Sequence, residues 1–128
     1  MSSQPFIDRR PVVEQTLVVH PLRPGGAEDR APETRLIEAV GLAEALGLSV
    51  VGAEIAPLRA LTPATLFGKG KVAELGARAA ELEVELVVVD DALTPVQQRN
   101  LEKAQGFRKA DSLHQPGLRG AVFRTAGP

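Results

Sequence analysis

The sequence predicts an α/β fold with three layers, in which helices flank a mostly parallel sheet of three to four strands. Three apolar, strand-like segments are each followed by a segment with helical spacing, as is typical of parallel strands joined by crossover helices. The clearest strand covers residues 85–90, and the clearest helix start covers residues 94–97. There a threonine, a proline and a glutamine stand in the positions of a capping box. The pattern does not reveal the order of the strands.

The first strand and helix are predicted to follow a polar head. Residues 1–14 contain two prolines, and we expect a flexible segment there. Residues 15–20, QTLVVH, are apolar at successive positions, as in a strand that is buried on both faces. Apolar residues then recur at steps of three and four from Leu36 to Leu46, which predicts a helix that starts near Pro32 and ends at Gly47.

Two more strand–helix units complete the predicted domain, which spans residues 15–106. Residues 48–56 predict a second strand, in which Gly52 favours a bulge. The connection over residues 57–70 is long for a loop without structure of its own, and such loops often carry function. A helix over residues 71–83 then leads to the strand at 85–90. The capped helix that follows is expected to stop at Gly106.

The last 22 residues, 107–128, have a different composition. Glycines and prolines cluster there, and the longest apolar run is the triplet at 121–123. We therefore predict a divergent, poorly ordered tail that lacks the fourth apolar strand expected of a doubly wound sheet. Without that strand, one edge of the sheet would be left exposed.

Composition narrows the possible functions. The chain of 128 residues has no cysteine, two histidines and a formal net charge of −1, so disulfides and zinc centres with thiolate or several histidine ligands are not expected. It has no tryptophan or tyrosine for stacking on bases, and no overall basic field that would draw it to DNA. We see no signal peptide and no apolar run of about 20 residues, and therefore expect a cytoplasmic protein.

The segment TLFGKGK, residues 65–71, is the first candidate site. Two glycines and two lysines open a helix, where backbone N–H groups and lysine charge can meet an anion. Gly68, Lys69, Gly70 and Lys71 are therefore candidates for binding phosphate, RNA or a nucleotide. The spacing is not that of a P-loop, since Val72 stands where a hydroxyl would ligate magnesium. Alternatively, the glycines only permit a tight turn between strand and helix.

The second candidate is the pair Asp90 and Asp91, which closes the clearest strand. The carboxyl ends of parallel strands are where α/β proteins place ligands. The alternative is a pair that caps the loop before the helix at Thr94, because aspartates commonly stabilise turns. His20 and His114 have no evident partners. No catalytic residue and no metal ligand is predicted.

Three stretches together resemble a known family: TPATLFGKGKVAEL at 62–75, ELVVVDD at 85–91 and TPVQQRNLE at 94–102. They resemble the N-terminal domain of the HflX family of ribosome-associated GTPases, and the resemblance covers residues 16–106. It implies an α/β domain that precedes a helical hairpin and a GTPase domain. The whole protein would bind the large ribosomal subunit and hydrolyse GTP with magnesium, and its N-terminal region is also associated with ATP. The resemblance places Gly68–Lys71 among the functional candidates.

The sequence departs from that family after Gly106, and it contains neither a P-loop nor an Asn-Lys-x-Asp motif. We therefore expect no GTP hydrolysis and no cofactor in this chain, and interpret it as a truncated product. The expected function is binding of the large ribosomal subunit by a non-catalytic domain. The alternatives are an ATP-binding α/β domain that uses the same loop, and a non-functional remnant.

Overall fold

The computed structural model describes residues 13–23, 31–58, 62–110 and 120–125. The predicted head up to residue 12 and the imidazole of His114 lie outside these residues. The elements in chain order are β1 (Gln15–Leu22), α1 (Pro32–Ala45), β2 (Ser49–Pro57), α2 (Lys69–Glu81), β3 (Leu86–Val89), α3 (Pro95–Gln105), β4 (Arg108–Lys109) and β5 (Ala121–Arg124). The predicted α/β fold, with three strand–helix units in succession, is confirmed.

The sheet has the order β2-β1-β3-β5-β4. The strands β2, β1 and β3 are parallel to one another, whereas β5 runs antiparallel to β3 and to the two-residue strand β4. Neighbouring parallel strands have their carboxyl ends at the same edge of the sheet. We call this the carboxyl edge, and α1, α2 and α3 all begin beyond it.

Two apolar clusters separate the sheet from its helices, because successive strand residues point to opposite faces. On one face α2 and α3 cover the sheet, and on the other face α1 does. The first cluster includes Leu17, Val19, Phe67, Val72, Leu75, Val87, Val89, Leu101 and Phe123. The second cluster includes Val18, Ala39, Ala43, Leu86, Val88, Ala110 and Val122. The molecule therefore has the three predicted layers.

The three helices begin in different ways. At α3 the predicted capping box is present, since the Gln97 amide donates to Thr94 Oγ1 at 3.1 Å and the Thr94 amide donates to Gln97 Oε1 at 3.0 Å. At α1 and α2 the N-cap residues are Ala31 and Gly68, and neither forms a side-chain cap. The helix α2 starts at Lys69, two residues earlier than the sequence predicts, because Gly68 takes the extended N-cap conformation and Gly70 continues the helix.

The expectation that no fourth strand follows α3 is wrong. Residues Ala121–Arg124 form β5, which pairs with β3 and covers the edge of the sheet that was expected to be exposed. Three apolar residues suffice here because Ala121, Val122 and Phe123 are all buried between the two helical layers. Thr125 extends the attachment by donating from its amide to Glu85 O at 2.9 Å and from its hydroxyl to Val84 O at 3.1 Å.

Both outer strands of the sheet carry features that discourage edge-to-edge pairing. The register between β1 and β2 shifts opposite Val51, which confirms the bulge predicted near Gly52. A Cβ atom on Gly52 would lie 2.9 Å from Leu82 Cδ1, so glycine leaves room at the bulge for the side chain of Leu82, which follows α2. At the other side the outer strand β4 has only two residues. Bulges and very short strands are common ways of protecting sheet edges.

Among the described helices, none combines the length and the apolar character that crossing a bilayer demands.

Candidate functional site

Both predicted sites lie at the carboxyl edge. The segment Gly68–Lys71 follows β2, and the pair Asp90–Asp91 follows β3. Between β1 and β3 the chain changes faces, because α1 after β1 covers one face and α3 after β3 covers the other. Such a switch point at the carboxyl ends of parallel strands is where open α/β sheets bind their ligands.

The glycine–lysine segment is anchored at its start and open at its tip. Leu66 is 1% exposed and Phe67 is 0% exposed, whereas Gly68, Lys69 and Gly70 are exposed. Leu66 has a φ of 72°, a left-handed conformation that is strained for a bulky residue. Burial of its side chain holds this conformation, and strain of this kind is often found at binding sites. The segment therefore presents its tip to solvent from a fixed base.

The two glycines leave the backbone at the start of α2 open to solvent. Gly68 has a φ of −67°, which any residue adopts, and a Cβ atom at Gly68 or Gly70 would have no atom within 4 Å. The tight-turn interpretation therefore finds no support in the geometry. No side chain of the described residues caps this helix, in contrast to α3. Exposed N–H groups and the positive end of the helix dipole are suited to holding an anion.

The two lysines differ in their surroundings. Lys69 is exposed and forms no ion pair with the residues that the structure describes. Lys71 is half-buried, and its Nζ lies 2.6 Å from Glu74 Oε1 and 4.0 Å from Glu54 Oε2. The hydrogen bond and the charge of Lys71 lower the pKa of the Glu74 carboxyl. Among the four predicted residues, the ammonium group of Lys71 is thus already paired with carboxylates of the fold. The ammonium group of Lys69 is paired with no described residue.

Asp90 is bound to a histidine that sequence reasoning did not connect with it. His20 is 1% exposed and Asp90 is 4% exposed, and His20 Nδ1 lies 3.1 Å from Asp90 Oδ2. His20 lies in β1, directly after Val19, which pairs with Val89, and Asp90 directly follows Val89. The available signal was that the strands predicted over residues 15–20 and 85–90 end at His20 and Asp90. Burial raises the pKa of the Asp90 carboxyl, while the hydrogen bond of His20 and the charge of Arg35 act in the opposite direction.

Asp91 is bound by an arginine from the end of β1. Arg23 donates from Nε to Asp91 Oδ2 and from Nη2 to Oδ1, each at 2.9 Å. Asp91 Oδ1 also accepts from the Ala92 amide at 2.7 Å, in agreement with the loop-capping interpretation. Both carboxylates thus connect β3 to β1. In the described part of the chain, no group of three or more His, Cys, Asp or Glu side chains is arranged to hold a metal ion.

The raised pKa of Asp90 predicts a pH dependence of stability. Because the folded state holds the Asp90 proton more tightly than the unfolded chain does, the contribution of this group falls as pH rises from 3.8 through its higher folded pKa. The Asp90→Asn variant lacks this titration. Its stability relative to the wild type should therefore rise with pH across that window and then level off, as measured by urea unfolding from about pH 4 to about pH 7.

The exposed carboxyl of Glu44 provides the control for this experiment. The Glu44→Gln variant makes the same change from carboxyl to amide at the surface of the protein. A stability difference between Asp90→Asn and the wild type that stays constant with pH would contradict the assignment.

Comparison with known proteins places this geometry in a family. The model of the family described as "GTP-binding GTPase N-terminal" matches residues 33–113, and so extends beyond Gly106, where the resemblance in the sequence analysis ended. The GTPase HflX of Magnetococcus marinus is 39% identical over 98 residues, which cover 77% of this chain and 22% of that protein. The GTPase HflX of Lacrimispora saccharolytica is 34% identical over 99 residues, 77% of this chain and 23% of that protein.

The chain thus spans between a fifth and a quarter of the length of these relatives. The family match covers more than half of the chain and contains both predicted sites. This chain therefore belongs to the GTP-binding GTPase N-terminal family, as a domain of the kind found at the N-terminus of HflX-type GTPases.

Proposed function

We propose that this domain contributes to binding of the large ribosomal subunit, through the exposed start of α2. The observation that carries the proposal is the combination of an uncapped helix N-terminus with Lys69, whose ammonium group is exposed and engaged by none of the described residues. The likeness to HflX-type GTPases supports the choice of partner, because the resemblance to that family implies association with the ribosome.

The chemistry of the site suits the phosphate groups of ribosomal RNA. Backbone N–H groups at a helix N-terminus and a free lysine both stabilise negative charge. The missing side chains at Gly68 and Gly70 let a phosphate approach the backbone closely. In this proposal the domain contributes binding alone. Hydrolysis of GTP is left to the part of the HflX-type GTPases that this chain does not match.

Sedimentation with purified large ribosomal subunits tests the proposal at increasing salt concentration. The wild type should sediment with the subunits, and less so as salt rises, because each phosphate contact releases counterions. The Lys69→Ala variant should reduce the slope of log K against log salt by about one unit. The matched variant Lys71→Ala should behave like the wild type, because Glu74 and Glu54 already engage that ammonium group.

Two results would contradict the proposal. One is that the wild type fails to sediment with large subunits at low salt. The other is that Lys69→Ala and Lys71→Ala lower the salt slope equally, which would show that only the net charge of the chain matters.

Binding of ATP by the same segment is a second candidate. The open backbone at Gly68 and Gly70 favours it, since nucleotide phosphates also bind at glycine-rich helix starts. The position after Lys71 is held by Val72, a buried side chain without the hydroxyl that a P-loop offers to magnesium. Calorimetry with magnesium and ATP distinguishes the candidates. Saturable binding that Lys69→Ala weakens would support this one, and absence of heat would exclude it.

A further inference from the structure

Charge on the layer formed by α2 and α3 is separated into two zones. Toward the outer strand β2, Lys71 and Arg78 are paired with the carboxylates of Glu54, Glu74 and Glu81, at 2.6–4.0 Å. Lys69, Arg99 and Lys103 are exposed instead, and none of the three forms an ion pair or hydrogen bond with the described residues. On this layer, the cations that no described residue pairs are therefore the three that lie away from β2.

On α3 the two unpaired cations lie on the outer side of the helix. Leu101 is buried against the sheet, and Arg99 and Lys103 stand two residues before and after it, which turns them to the opposite side. Arg99 and Lys103 are four residues apart and thus neighbours on that side. Val96, one turn before Arg99, is exposed as well. The outer side of α3 therefore presents two adjacent positive charges to solvent.

Lys69 lies on the side of α2 that faces α3. A Cβ atom on Gly76 would lie 1.7 Å from Gln105 Oε1, which shows that this side of α2 packs against α3. Lys69 precedes Gly76 by seven residues, or about two turns, and so lies on the same side. Asn100 also donates to Ala64 O at 2.9 Å, which ties α3 to the segment before α2. Lys69 thus flanks α3 at the end of the layer where both helices begin.

We propose that Lys69, Arg99 and Lys103 form one cationic strip that follows the phosphate backbone of RNA across α2 and α3. The inference rests on the proposed function and extends its contact surface from the start of α2 onto α3. A strip of unpaired cations gains affinity for a polyanion by releasing the counterions of the nucleic acid. The proposed contact is to phosphate groups, which carry no sequence information directly, so binding through the strip is independent of base sequence.

The strip predicts which cations matter in the sedimentation experiment with large ribosomal subunits. Arg99→Ala and Lys103→Ala should each lower the salt slope by about one unit, and the double variant by about two. Alanine favours helices, so these exposed substitutions should leave the fold intact, as circular dichroism can check. Arg108→Ala is the matched control, because it removes the same charge from an exposed position on β4. It should leave the slope unchanged.

The outcomes separate the inference from the proposed function. If Lys69→Ala lowers the slope but Arg99→Ala and Lys103→Ala behave like Arg108→Ala, the strip is overturned and the proposed function stands. If the wild type does not bind large subunits at all, both fail. As a second measurement, two labelled RNA hairpins of equal length and different sequence should bind the wild type with equal affinity. A preference for one sequence would contradict contact through the backbone alone.

Discussion

Replacement of Phe67 by alanine should lower the free energy of unfolding by about 3–5 kcal/mol, the usual loss when a fully buried aromatic ring is truncated. Phe67 is 0% exposed and belongs to the core cluster between the sheet and the α2–α3 layer. Removal of the ring leaves a cavity that neighbouring side chains fill only in part. Urea unfolding of the variant and the wild type measures the loss.

The same substitution should also weaken the candidate site, because Phe67 directly precedes Gly68 and fixes the base of the exposed segment. Phe67→Leu keeps most of the apolar volume and should lose less stability. Phe107 is only half-buried, so Phe107→Ala should also cost less than Phe67→Ala. A loss for Phe67→Ala no greater than that for Phe107→Ala would show that the segment is not anchored as described.

The second large effect is expected at Gly120, the residue before β5. A Cβ atom there would lie 1.5 Å from the carbonyl oxygen of Val89 and 2.9 Å from the amide nitrogen of Asp91. Both are backbone atoms, so relief requires β3 and β5 to move apart. Gly120→Ala should therefore lower the free energy of unfolding by about 1–3 kcal/mol or more, the usual cost of overpacking. Thermal or urea unfolding provides the measurement.

Gly41→Ala is a control that should change the free energy of unfolding in the opposite direction. It lies within α1, and a Cβ atom there would have no atom within 4 Å. Gly41→Ala should therefore raise stability by up to about 1 kcal/mol through helix propensity. If Gly120→Ala were as well tolerated as Gly41→Ala, β5 would not pack against β3 as the structure shows.

The local parts of the fold could be predicted from the sequence, because their signals lie within a few residues. The start of α3 is one example, since the capping box joins Thr94 to Gln97 only three residues away. The strand β5 could not be predicted in this way. Its apolar run has three residues, and what makes it a strand is pairing with Val87 and Val88, which are more than thirty residues earlier in the chain.

In the candidate site, too, the features that depend on nearby residues could be predicted, and those that depend on distant residues could not. Its glycines and lysines are visible in the sequence, and so is the i,i+3 spacing of Lys71 and Glu74, which was a signal that this lysine is occupied. The partners of Asp90 and Asp91 could not be predicted from the sequence. These partners, His20 and Arg23, are about seventy residues away in the chain and contact the aspartates only because β1 pairs with β3. The difference between Lys69 and Lys71 likewise depends in part on Glu54 in another element.

The most direct test of the central claim measures sedimentation of the wild-type chain with purified large ribosomal subunits, at about 50 mM and about 200 mM salt. We expect the chain to sediment with large subunits at the lower concentration and much less at the higher one. Failure to sediment at low salt, or sedimentation that does not fall as salt rises, would contradict the claim.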